Sequence, residues 1–111
     1  MTEKKRTSLQ TAYKKNLSGM FDNITPAIEV LLNETAFLAG HLDELKEDIN
    51  KEGTVVGYQH GGGQSGVKPN PKVNNYVSFH KSLVSNIKQL IAMAPDKTEK
   101  DALKAFMGSR G

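Results

Sequence analysis

A break near the middle of the chain constrains it more than any other feature. Six of its ten glycines lie between Gly53 and Gly66, and Pro69 and Pro71 follow closely. Such a stretch cannot continue a helix and brings almost no apolar side chains to a core. The 111 residues must therefore find their hydrophobic contacts in the segments on either side. We read 53–71 as a flexible Gly-rich loop, in which Thr54, Val55 and Val56 add at most a short extended piece.

The flanking segments are both strongly helical in pattern. From Pro26 to about Lys51, Ile28, Leu31, Leu32, Thr35, Leu38, Ala39, Leu42, Leu45 and Ile49 recur at the helical period. Thr25 suits the N-cap, Pro26 the first turn, Glu29 the positive end of the helix dipole, and Gly53 the stop. From about Lys72 to Ala94 a second stripe runs through Val73, Tyr76, Val77, His80, Leu83, Val84, Ile87, Leu90 and Ile91, ending before Pro95. Two long stripes joined by one loop predict an all-α fold built on a long antiparallel helical hairpin.

Shorter helices are expected at both ends. Thr7–Phe21 places Leu9, Ala12, Tyr13, Leu17, Met20 and Phe21 on one side, with Thr7 and Gln10 as a capping box. A last helix, about Glu99–Met107, starts after Thr98 and stops at Gly108. The chain thus divides into a basic N-terminal arm with a short helix (1–25), a hairpin core (26–95) and a C-terminal helix and tail (96–111).

A core drawn from these stripes is small, since the chain has no Trp and only 6% aromatic residues. Small units often recover stability by associating. Val30 and Phe37, seven residues apart, fall roughly opposite the main stripe of their helix, and Phe79 falls off the stripe of its own. A hairpin buries one face per helix, so these three residues are read as an oligomer interface.

Charge is segregated along the chain. Lys4, Lys5, Arg6, Lys14 and Lys15 face only Glu3 in the first fifteen residues. Glu29, Glu34, Asp43, Glu44, Glu47, Asp48 and Glu52 dominate the next helix, and Lys68, Lys72, Lys81 and Lys88 lie in a stretch without any acid. Basic clusters of this kind neutralise phosphates. Lys4, Lys5, Arg6, Lys14, Lys15, Lys81 and Lys88 are accordingly the candidate DNA-binding residues. The acids Asp43, Glu44, Glu47 and Asp48 read as a solvated helix face. The acidic arm is expected to lie against the basic second arm, either within one subunit or between neighbours.

Enzymatic chemistry finds no footing. There is no Cys, so disulfides, thiolate metal sites and Cys nucleophiles are excluded. His60-Gly61-Gly62-Gly63 imitates an esterase oxyanion loop without the G-x-S-x-G elbow that motif requires. Gly61 to Lys68 imitates a phosphate-binding loop, but Val67 precedes the Lys, no Ser or Thr follows it, and no strand is expected before the glycines. His41, His60 and His80 have no metal-ligand spacing, and His80 reads as a buried polar group within its stripe. No catalytic residue, metal or cofactor is expected. No run of about eighteen apolar residues exists, so no membrane partner is expected either.

The run Leu42-Asp43-Glu44-Leu45 through Gly53, the Gly-containing loop, Lys68-Pro69-Asn70-Pro71 and the helix Val73…Tyr76…His80…Leu83-Val84…Ile87…Leu90 form a recognisable order. They are followed by Ala94-Pro95-Asp96-Lys97-Thr98 and then Ala102-Leu103. In order and spacing this resembles the small subunit of bacteriophage terminases, in the group with a central helical hairpin. The resemblance covers about 60–70 residues. It implies a non-catalytic subunit that forms a ring-like homo-oligomer in the host bacterial cytoplasm. It further implies that the ring binds double-stranded viral DNA at the start of packaging and delivers it to the large ATPase/nuclease subunit. Several such subunits carry an N-terminal helix-turn-helix, whereas Met1–Thr25 has room for one helix. DNA contact would then come from many copies of weak basic patches around a ring. Two other classes fit an elongated hairpin: a small helical adaptor that oligomerises without binding DNA, and a secreted helical-hairpin dimer. The latter lacks its W-x-G turn here.

Overall fold

A computed structural model of the chain describes residues 1–60 and 64–95. The elements run α1 (Glu3–Ser18), α2 (Pro26–Glu52), β1 (Val55–His60), β2 (Gln64–Pro69) and α3 (Pro71–Met93). The predicted C-terminal helix at 99–107 lies outside the described residues.

The first helix begins four residues earlier than its apolar pattern suggests. Thr2, not Thr7, is the N-cap, its hydroxyl accepting the Lys5 N–H at 3.1 Å. Lys4, Lys5 and Arg6 are therefore helical residues and not a free arm. No residue of α1 is fully buried, and Ala12 is exposed. This helix is docked by its flank.

The second helix follows the sequence closely. The Thr25 hydroxyl accepts the Ile28 N–H at 3.3 Å, Pro26 sits in the first turn, and Gly53 ends the helix at φ +87°. That backbone conformation is open to glycine and strained for other residues. Both neighbours run antiparallel to α2. The Met1 α-amino group meets Glu47 while Lys14 meets Glu29, and Lys72 meets Asp48 and Glu52 while Leu90 packs on Ile28 and Leu32. Consequently α1 and α3 run parallel to one another across α2. Leu32 and Leu90 are fully buried, with Leu17, Met20, Phe21 and Leu31 packed around the cluster. Burying a leucine contributes roughly 1.5–3 kcal/mol, so this small seam is the main source of stability.

The Gly-rich segment departs from expectation. It is not one irregular loop: β1 and β2 pair antiparallel from Val55↔Pro69 to His60↔Gln64. Glycine excludes a stable helix but only weakens a strand, and the flanking valines favour extended backbone. Pairing also gives the backbone groups partners that a loop would leave to water.

Asn70 closes the base of this ribbon. It is 2% exposed, and every polar part of it is engaged. Its backbone N–H donates to the Thr54 carbonyl (2.8 Å), and its amide donates to the Gly53 carbonyl (2.9 Å) and toward Glu52 (3.4 Å). Its Oδ1 accepts the Lys72 N–H (3.1 Å), capping α3. One side chain thus ties the end of α2 to the start of α3. Asn70→Ala leaves two buried groups unpaired and should cost about 1–3 kcal/mol in urea unfolding. Asn70→Asp keeps the cap but loses the donor and places a second carboxylate beside Glu52. It should be no more stable than the Ala variant, and wild-type stability for it would reduce Asn70 to a simple cap.

Candidate nucleic-acid interface

The candidate basic residues emerge from the fold in two groups. Arg6 Nη1 bonds Glu44 Oε2 at 3.0 Å, and Lys14 Nζ bonds Glu29 Oε1 at 2.5 Å. These two are occupied in docking α1 onto α2. Lys4, Lys5, Lys15, Lys81 and Lys88 are exposed and outside every ion pair of the described residues. The structure does not gather them at one point: three are on α1 and two on α3.

The acidic residues are the larger correction. Asp43, Glu44, Glu47 and Asp48 are half-buried and partnered, not a solvated face. Asp43 accepts the Tyr13 hydroxyl, and Glu44 takes Arg6 with His41 at 3.8 Å. Glu47 takes the Met1 amino group at 2.9 Å, and Asp48 takes Lys72 at 3.1 Å. Nor does the acidic helix lie against the basic residues of α3 as a whole. Lys72 alone reaches it, because Lys81 and Lys88 occupy the outer side of their helix.

These contacts move proton affinities. The hydrogen bond to Asp43, then burial, then the Asp43 charge push the Tyr13 pKa up to about 12. Glu47 is held below its ordinary carboxylate value, chiefly by the bond from the Met1 amino group. Lys72 is held above its ordinary value by its bonds to Glu52 and then Asp48. Gly40, which the sequence pattern did not single out, allows the close approach. A Cβ there would lie 2.3 Å from Gln10 Cγ, and Gln10 donates to the Phe37 carbonyl at 3.0 Å.

The candidate interface residues are also distributed. Val30 and Phe37 are 62% and 51% exposed on one side of α2, with the His41 ring 4.4 Å from that of Phe37. Phe79 is half-buried, while Val77 and Val84 on the same helix are exposed. His80 is exposed, contrary to the buried role its place in the stripe suggested. The face of α3 turned inward is rotated slightly from the apolar stripe.

Between α1 and α3, above α2, a groove of about 330 Å³ remains open. Leu17, Ala39, Leu42, Leu83 and Ile87 supply its apolar wall, with Tyr13, Asp43 and His80 among its polar lining. No cluster of three or more metal-ligating side chains occurs among the described residues. Nor is any described helix long and apolar enough to cross a membrane. Comparison of the chain with protein-family models, with curated proteins and with solved structures finds no match.

The Tyr13–Asp43 bond sets an alkaline limit. A group with a raised folded pKa contributes stability below its unfolded value, and the contribution fades as pH rises through the folded one. For Tyr13 that window runs from the ordinary value of 10.0 to about 12. Wild type should lose melting temperature more steeply across it than Tyr13→Phe, while Lys72 titrates in both. Equal slopes would show that the bond does not couple to folding. At neutral pH the variant should be destabilised by about 1 kcal/mol.

Proposed function

We propose that the chain is a non-catalytic DNA-packaging subunit of the terminase small-subunit type. It assembles into a ring-like homo-oligomer in the host cytoplasm and binds double-stranded viral DNA for delivery to a large ATPase/nuclease subunit. The observation that carries this reading is the charge left over once the fold's ion pairs are made. The α2 carboxylates absorb Arg6, Lys14 and Lys72, which leaves Lys4, Lys5, Lys15, Lys81 and Lys88 exposed. These cations are too few in one subunit for tight binding, so the contact has to be multiplied by assembly. Val30 and Phe37 offer the apolar surface for that assembly. Arg6 and Lys14, which belong to the basic cluster in the sequence, serve DNA only indirectly by holding α1 in place.

Two measurements test the reading. Light scattering during size exclusion should give an oligomeric mass, and Phe37→Asp should lower it. Leu42→Ala should leave the mass unchanged but cost about 2–5 kcal/mol of stability, because Leu42 is buried at 6% exposure. A monomeric wild type at tens of micromolar would rule out the ring.

Mobility shifts with duplex DNA at two salt concentrations test the second half. Lys4→Ala/Lys5→Ala/Lys15→Ala and Lys81→Ala/Lys88→Ala should each weaken binding. Each should also flatten the slope of log affinity against log salt, by about 0.9 per lost phosphate contact. No binding by wild type at low salt would favour the oligomerising adaptor.

A further inference from the structure

We propose that the exposed edge of α2 around Phe37 docks on the outer side of α3 in a second copy of the chain, with Glu34 of one copy paired to Lys81 of the next. This rests on the assembly named above and supplies the surface that meets the Val30–Phe37 edge. The carboxylates of α2 point to it. Among the described residues, Glu29, Glu44, Glu47, Asp48 and Glu52 are held in ion pairs, and Asp43 accepts the Tyr13 hydroxyl. Glu34 is the one acid of this helix that no such contact engages. It stands between Val30 and Phe37, exposed like both of them and on the same side of the helix. The helix that uses its other acids to hold α1 and α3 thus offers one more, beside an apolar pair, with nothing docked on it.

The complementary strip is on α3. Val77, Lys81 and Val84 repeat the spacing of Val30, Glu34 and Phe37, with a cation where α2 has its acid. Both valines are exposed, α3 carries no acid, and Lys81 is outside every ion pair of the described residues. Such spacing brings the three side chains to one face of a helix. The two strips do not meet within one chain. Thr35, Ala39 and Leu42 of α2 and Tyr76, Leu83 and Ile87 of α3 line the groove on one side of the molecule. At about 3.6 residues per turn, Val30 and Phe37 then fall on the opposite side of α2, and Lys81 on the outer side of α3.

Two different strips that fit one another make a heterologous contact. Each copy carries one of each, so it joins two neighbours, and the series forms a ring when the rotation between copies closes. In a ring whose axis runs along the helices, every copy keeps the same helix directions. Helix α2 of one copy therefore meets α3 of the next antiparallel. With Val30 beside Val84, Phe37 falls beside Val77, and Glu34 lies within about 1.5 Å of the level of Lys81. Lys81 then serves DNA through the assembly it holds, as Arg6 does through α1, while Lys88 lies a turn beyond the contact.

Light scattering of the full chain over a dilution series reads the contact. Glu34→Lys and Lys81→Glu should each raise the concentration at half-dissociation about tenfold or more, because each sets like charges against one another. Both changes in one chain should restore the wild-type mass. Mixing the two single variants should restore association as well, since their altered strips complement one another and so do their unaltered ones. Val84→Asp should lower the mass as Phe37→Asp does. All four positions are exposed, so helical circular dichroism should be unchanged in every variant. An oligomer that dissociates with Phe37→Asp but ignores Lys81→Glu and Val84→Asp overturns the proposal and leaves the ring in place. A double variant no more associated than the single ones overturns it too. Rescue by the double variant supports the contact even where the chain shifts no DNA, and a monomeric wild type overturns contact and ring together.

Discussion

Six carboxylates of α2 hold its two neighbours: Glu29, Asp43, Glu44 and Glu47 engage α1 with the chain's amino group, and Asp48 and Glu52 engage Lys72. Pairs as exposed as these contribute about 0–1 kcal/mol each, less at high salt. Their effect is on geometry. No residue of α1 is fully buried and its apolar contact with the core is made at one end, through Leu17, so the spacing of Arg6, Tyr13 and Lys14 helps set its register along α2. Net stability comes from the Leu32–Leu90 contact and the residues around it, at the end of the molecule where all three helices meet.

That division of labour shapes the surface. Once α2 has absorbed its share of cations, the unpaired lysines of the described residues are spread over several elements: Lys4, Lys5 and Lys15 on α1, Lys46 on α2, Lys68 on β2, and Lys81 and Lys88 on α3. Scattered single lysines make a poor binding site in one subunit and a useful one when repeated around an assembly. The exposed Val30–Phe37 edge and the basic outer surface therefore belong to the same proposal: neither is explained by the subunit alone.

The ribbon and its clamp add a second kind of constraint. An isolated two-stranded ribbon is marginal by itself in water. Here its base is anchored by Asn70, which is bonded to the last turn of α2, to Thr54 and to the first turn of α3. The clamp fixes the direction in which the chain reverses, so α3 returns along α2 with Lys72 beside Asp48 and Glu52.

Much of the local structure was legible in the residues. Thr25, Pro26 and Gly53 mark the ends of α2, and Pro71 and Pro95 bracket α3, because caps and prolines act through their own backbone within a few residues. The break at 53–71 was equally plain, although glycine content alone did not distinguish a loop from a ribbon, since strand pairing depends on partners up to fourteen residues away, as in Val55↔Pro69. The partners of the charges were not readable. Asp43 through Asp48 have the pattern of a solvated face, and only the approach of α1, made possible at Gly40, turns them into a docking rail. The same contact removes Arg6 and Lys14 from the basic surface and leaves Lys4, Lys5 and Lys15 on it. Sequence determined where each helix starts and stops, through interactions a turn or two long. Tertiary structure decided which charges remain free, because that depends on which helices touch and along which faces.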